Sequence, residues 1–149
     1  MEITSDRTFL TIWQHRTEFL EQEADTLLDI NDLLGKPYKL HGRGPNSYDC
    51  YGLVIEVERR LGRELPDLYK IFEKKSEVKD VALATAAIGL VKTDTPSFGD
   101  IVLFRKKGRA DHIAVYLKNG DFIHCDGEGV RILNLAYYDR KGEFWKWPQ

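Results

Sequence analysis

The chain has 149 residues, 42% of them hydrophobic and 31% charged, with a formal net charge of −2. That length supports one domain with a proper core and is too short for two ordinary ones, and the near-neutral balance gives no reason to expect nucleic acid or a membrane surface as the main partner. No apolar run approaches the roughly 18 residues of a membrane span, the charged start "MEITSDRTFLTIWQHRTEFLEQ" lacks the apolar segment of a secretory signal, and two cysteines cannot form a disulfide framework.

Phe9, Ile12, Trp13, Phe19, Leu20, Leu27, Leu28 and Leu34 recur at helical spacing, which predicts a helical stretch over 6–34. Gly35 stops it and Pro37 prevents continuation. The expected organisation is therefore a helical extension, 1–34, packed on a domain covering 35–149. "PYKLHGRGPNSYD" is a loop by its Gly, Pro, Asn and Ser content. Asp49 then suits a helix N-cap, Val54, Val57 and Leu61 form an apolar stripe, Glu56, Glu58, Arg59 and Arg60 can stay wet, and Gly62 ends the helix. A second helix is predicted over 76–88, capped by Ser76. Beyond it, "FGDIVLF", "HIAVYL", "DFIHC" and "GVRIL" are short β-rich runs, and the Asn-Gly of "LKNGDF" marks a hairpin between two of them. Helices first and an antiparallel sheet after make the class α+β.

Cys50 falls in the first turn of the helix that Asp49 caps. Unpaired N–H groups and the helix dipole favour negative charge there, which lowers a thiol's pKa, and a nearby imidazole lowers it further. The bland alternative is a small buried hydrophobe. Of the four histidines, His15 suits a surface or packing role on the first helix, and His41 an exposed loop position with substrate contact as the alternative. His112 and His124 lie on the two strands of the predicted hairpin, where Val or Ile is more usual, and as a pair they point to function. A plain two-residue Asn119–Gly120 turn would put them on opposite faces of the sheet. A three-residue loop or a single bulge would put both on one face and Cys125 on the other, as core packing. Zinc is the chemical competitor, since Cys50, His112, His124 and Cys125 are all potential ligands. No CxxC or HxxxH spacing supports it.

At this point "YDCYGLV", "FGDIVLF", "DHIAVYLKNGDFIHC", "GVRI" and "GKPYKLHGRGPNSYDC" together resemble, in order, the motifs of the NlpC-type cell-wall cysteine endopeptidases, over 34–133. The resemblance implies a compact papain-like fold in which N-terminal helices pack on the antiparallel sheet. It implies Cys50 as nucleophile, His112 as general base and acid, and His124 as the third polar residue orienting His112. Tyr38, twelve residues before the cysteine, would hold the oxyanion with the Cys50 N–H. Asp49 keeps its role as N-cap, and Asp111 is not taken as the orienter. The order Cys, His, His is that of the hydrolases rather than of circularly permuted acyltransferases.

The implied activity is hydrolysis of an amide bond in peptidoglycan stem peptides, beside a γ-linked D-glutamyl residue, with no cofactor and no metal. "GRGPNSYDCYGLV…LGRELPDLY" looks most like the bacteriophage tail-associated branch, which implies phage tail proteins as partners and the virion, or another route to the cell wall, as the destination after synthesis in the cytoplasm. Two rival readings stay open. One is a weakly active or inactive structural module of a tail or secretion assembly, which Tyr51 would favour by narrowing the cleft; the other is amidase or acyl-transfer chemistry on another substrate. "RKKGR", 105–109, is a solvated loop or an attractor of substrate carboxylates.

Overall fold

The computed structural model describes residues 29–67 and 89–148. Residues 6–28 of the helical stretch predicted over 6–34, the helix predicted over 76–88, and His15 lie outside them. The described part of the first helical stretch closes with a 3-10 turn, Asn31–Leu33, and Gly35 stops it at a φ of 83°. The remaining elements belong to one compact unit, Leu33–Gln149.

Helix α1, Cys50–Arg60, begins where Asp49, in extended conformation, accepts the Gly52 N–H at 2.6 Å. It ends at Gly62, also at a φ of 83°. Six strands follow: β1 (Val91–Thr93), β2 (Ile101–Lys106), β3 (Arg109–Tyr116), β4 (Asp121–Asp126), β5 (Gly129–Asn134) and β6 (Gly142–Lys146). They form one antiparallel sheet in the order β1-β6-β2-β3-β4-β5. The four predicted runs became β2 to β5. The two strands not foreseen, β1 and β6, are short and carry lysines and a glutamate, so neither shows an apolar alternation.

Period-two alternation divides the sheet into two faces. One buries Val102, Phe104, Ala114 and Phe122, with Tyr138 and Phe144 packed over them. The other buries Ile101, Leu103, Ile113, Val115, Ile123 and Cys125, and α1 lies along β3 and β4. The fully buried apolar residues of the helix are Leu53, Val54 and Val57, each contributing about 1.5–3 kcal/mol by leaving water. Leu61 is only half-buried. Glu58, expected in water, is fully buried with Arg63 beside it, because it shares the helix face of Val54 and Leu61 rather than the wet side.

The β3–β4 turn settles which face the histidines take. Asn119 and Gly120 both have positive φ, 53° and 86°, and Asp121 N–H donates to Lys118 O at 2.8 Å, as a two-residue turn requires. Yet Leu117 N–H donates to Asp121 O at 2.8 Å, so Leu117 and Lys118 together face Asp121. This single bulge shifts the ladder by one residue, to Val115↔Ile123 and Tyr116↔Phe122. Carried along the strands, that register puts His112 and His124 on the same face.

Candidate active site

Cys50 owes its position to the loop before it. Tyr48 N–H donates to Pro37 O (3.1 Å), Lys39 N–H to Tyr48 O (3.0 Å) and Asp49 N–H to Gly42 O (3.2 Å), which folds the loop back on its own end. Asp49 is buried and caps more than the helix. Its carboxylate also accepts His41 N–H (3.2 Å) and Arg43 Nη1 (2.7 Å), while Arg43 forks onto Asp67 through Nε (2.8 Å) and Nη2 (3.2 Å). Gly52 permits this closeness: a Cβ there would sit 2.0 Å from Gly42 O. The chain on both sides of Cys50 is thus pinned before any chemistry begins. His41 is exposed in this loop.

Cys50 is partly exposed, and its sulfur reaches β3 at the Ile113 backbone N–H, one residue from His112. Contrary to the sequence expectation, its thiol is pushed up, to about 11. Burial is the main cause and the Asp49 carboxylate adds to it; the N–H groups of Tyr51, Ile113 and Cys50 itself oppose them without prevailing. The same residue that starts the helix places a full negative charge beside its positive end, which cancels the dipole's benefit.

His112 and His124 are brought together directly, His112 Nε2 lying 2.8 Å from His124 Nδ1 with the rings nearly perpendicular at 77°. The His112 ring stacks on Phe104 (centroids 5.6 Å apart), and His124 stands edge-on to Phe122 and Tyr138 (5.2 and 5.9 Å). With Nε2 engaged, Nδ1 is the His112 ring nitrogen outside this contact. Burial pushes His112 down to about 4, with His124 and Arg140 adding to it and Asp126 and Asp111 opposing. His124 is lowered too, by burial, with Asp126 pulling the other way.

Cys125 is fully buried and donates its S–H to Tyr48 O at 3.2 Å, a packing role as expected; burial first, then Cys50, raise it to about 12. Tyr38 is held at its backbone by a bridge to Tyr48, with 40% of its surface exposed. Asp111 pairs with Arg140 and so does not orient His112. Tyr51 is buried, and its hydroxyl donates to Pro66 O at 2.8 Å. It ties down the chain after the helix. The "RKKGR" run spans the end of β2, the Lys107–Gly108 turn and the start of β3, and Arg105, on β2, pairs with Glu143 at 3.0 Å. Among the described residues, no three His, Cys, Asp or Glu side chains cluster as a metal site.

Several residues around the site had no signal in the sequence. Tyr138 and Arg140 come from the segment after β5, and Arg43 and Asp67 are 24 residues apart. Asp126 was accessible to reasoning, since it lies two residues beyond His124 and therefore on the same face of β4.

A family profile described as the NlpC/P60 family matches residues 35–146. Murein DD-endopeptidase MepH of Escherichia coli is 32% identical over 142 residues, covering 85% of this chain and 46% of that protein. The probable peptidoglycan endopeptidase LytE of Bacillus subtilis is 28% identical over 113 residues, covering 74% of this chain and 30% of that one. The chain thus spans less than half the length of either. The solved structure of NlpC2 from Trichomonas vaginalis shares the fold with a TM-score of 0.60 at 23% identity, over 83% of this chain and 44% of its own.

Proposed function

Because this chain belongs to the NlpC/P60 family, we propose that it is a cysteine endopeptidase that hydrolyses amide bonds in peptidoglycan stem peptides. The names of its murein and peptidoglycan endopeptidase relatives support the substrate class. One observation carries the mechanism: a 2.8 Å imidazole pair that occupies one sheet face through a single bulge, one residue from where the Cys50 sulfur meets β3. With the thiol raised and the imidazole lowered, the resting pair is uncharged, so Cys50 is activated during attack.

The sulfur forms a bond to the amide carbon as its proton passes to His112 Nδ1. The oxyanion is held by the Cys50 N–H and the Tyr38 hydroxyl. His112 then returns the proton to the departing amine as the C–N bond breaks, leaving a thioester. Water, deprotonated by the same nitrogen, adds to the thioester carbon; the C–S bond then breaks, the carboxylic acid leaves, and the proton goes back to sulfur. His124 holds the His112 ring throughout. The bond cut lies beside a γ-linked D-glutamyl residue.

Incubation with defined muropeptides tests this: product release by the native chain and none by Cys50→Ala is expected, and equal release from both rejects Cys50 as nucleophile. The reading as an inactive module loses the support that Tyr51 lent it, since that side chain is engaged with Pro66. We further propose that the domain is made in the cytoplasm and reaches the cell wall with a bacteriophage tail, on the strength of "GRGPNSYDCYGLV". Its detection in purified particles by mass spectrometry is the expected result, and its absence from them argues against that route.

A further inference from the structure

Two proton arrangements satisfy the 2.8 Å contact between His112 Nε2 and His124 Nδ1 when both rings are neutral. In the first, His124 donates from Nδ1; His112 then carries its proton on Nδ1 and has no lone pair to accept one from a thiol. In the second, His112 donates from Nε2, its Nδ1 is a bare acceptor, and His124 carries its proton on Nε2. Only the second lets His112 act as a base toward Cys50.

The far side of His124 distinguishes the two. His124 is fully buried, and its Nε2 has no hydrogen-bond partner among the described residues. The Asp126 carboxylate faces it, with Oδ2 3.9 Å from Nε2. A lone pair on the buried Nε2 would face the negative charge of the half-buried Asp126 carboxylate, whereas an N–H there is stabilised by it. Asp126 is itself fixed: Oδ1 accepts the Glu128 N–H (3.0 Å) and Oδ2 accepts Arg131 Nη2 (2.8 Å), while Arg131 also pairs with Glu128 (2.9 Å). Arg131, opposite His124 in the ladder, competes for Oδ2, consistent with a carboxylate standing off from the ring. On the His112 side, Arg140 and Asp111 neutralise each other. Although burial pulls it upward, the Asp126 carboxyl is held below its ordinary range by the Glu128 N–H, His124 and Arg131, so it stays charged at neutral pH.

We infer that Asp126 is a positioning residue: its carboxylate holds His124 in the Nε2–H tautomer and thereby leaves His112 Nδ1 as the acceptor for the Cys50 proton. This rests on the Cys–His–His hydrolase reading above. The test uses the full chain labelled with nitrogen-15 at neutral pH, where long-range nitrogen–proton correlation spectra report the tautomer of each ring. Both rings of the native protein should be protonated at Nε2. Asp126→Asn keeps an oxygen for the Glu128 N–H and removes the charge. In that variant the Nδ1–H form should grow at both rings, and kcat should fall about tenfold, in proportion to the competent fraction, with KM unmoved. Asp126→Glu should restore part of both. A native His124 protonated at Nδ1, or tautomers and kcat unchanged by Asp126→Asn, overturns the inference. The native spectrum decides even if the variants do not fold. The spectra also read Asp126 without turnover, so failure of the hydrolase reading, seen as unchanged release by Cys50→Ala, is told apart from failure of this one.

Discussion

If burial and Asp49 raise the Cys50 thiol to about 11, its reactivity with an alkylating agent has a defined pH profile. At pH 7 the thiolate fraction is then about one in ten thousand, against a few per cent for an ordinary cysteine. With His112 near 4, the imidazole is neutral over the same range and no standing thiolate–imidazolium pair forms. The second-order rate of iodoacetamide labelling at Cys50, followed by mass spectrometry of the peptide, should climb about tenfold per pH unit from pH 6 to pH 10. Cys125, fully buried and higher still, should stay unlabelled in the folded chain. His112→Ala should abolish hydrolysis yet leave the labelling profile almost unchanged, because a neutral ring contributes little to the thiol's acidity. A labelling rate that is already flat above pH 5, and that His112→Ala abolishes, would refute the reasoning. It would mean that the dipole of α1 and the imidazole outweigh burial, and that the nucleophile is preformed.

Asp49 offers the converse perturbation: Asp49→Asn keeps an oxygen for the Gly52 N–H but removes the charge that raises the thiol, so labelling at pH 8 should be faster than in the native chain. Gly52→Ala should lower stability by about 3 kcal/mol in urea unfolding, since its Cβ would meet the Gly42 carbonyl at 2.0 Å and the pinned loop cannot retreat. Burial raises Glu58 to about 8, Arg63 opposing. The folded state therefore binds that proton more tightly than the unfolded one, and the stability this adds is complete below about pH 4.5 and lost as pH rises through 8. His112, lowered on folding, works in the opposite direction, so the difference between native and Glu58→Gln carries the test. The variant's relative stability should grow by about 4 kcal/mol between pH 5 and pH 8, and parallel urea curves across that range would contradict it.

The parts of this fold that local chemistry dictates could be read in advance. Asp49 as cap, Gly62 as stop and the alternation of β2 to β5 each follow from a few neighbouring residues. What escaped depends on distance. β6 is a strand because β1 and β2 flank it, pairing Phe144 with Thr93 and Val102, and nothing within "GEFWK" announces this. Glu58 looked wet because a helix side can be charted from sequence only where the buried stripe is known, and that stripe is centred on Leu53, Val54 and Val57. The thiol's expected acidity failed for a related reason. The first turn of a helix was judged by its dipole, while the side chain that starts the turn is a buried carboxylate and the sulfur is largely withdrawn from water.

The imidazole pair, His112 and His124, marks the boundary between the two kinds of information. Asn119–Gly120 specifies a turn, and both residues adopt the left-handed backbone such a turn needs. The pair does not specify whether the strands leave the turn in step. That depends on Leu117 and Lys118 sharing Asp121, with Leu117 buried and Tyr116 reaching back so that its hydroxyl accepts the Gly120 N–H at 3.1 Å. Without that one extra residue, every side chain of β3 beyond the turn would change faces relative to β4, and His112 would stand across the sheet from His124. The requirement for a bulge was therefore a consequence of the chemistry before it was an observation of structure. A 2.8 Å contact between the rings satisfies it, and deletion of Lys118, which removes the extra residue while leaving Asn119–Gly120 in place, should separate the rings and silence hydrolysis while the hairpin itself persists.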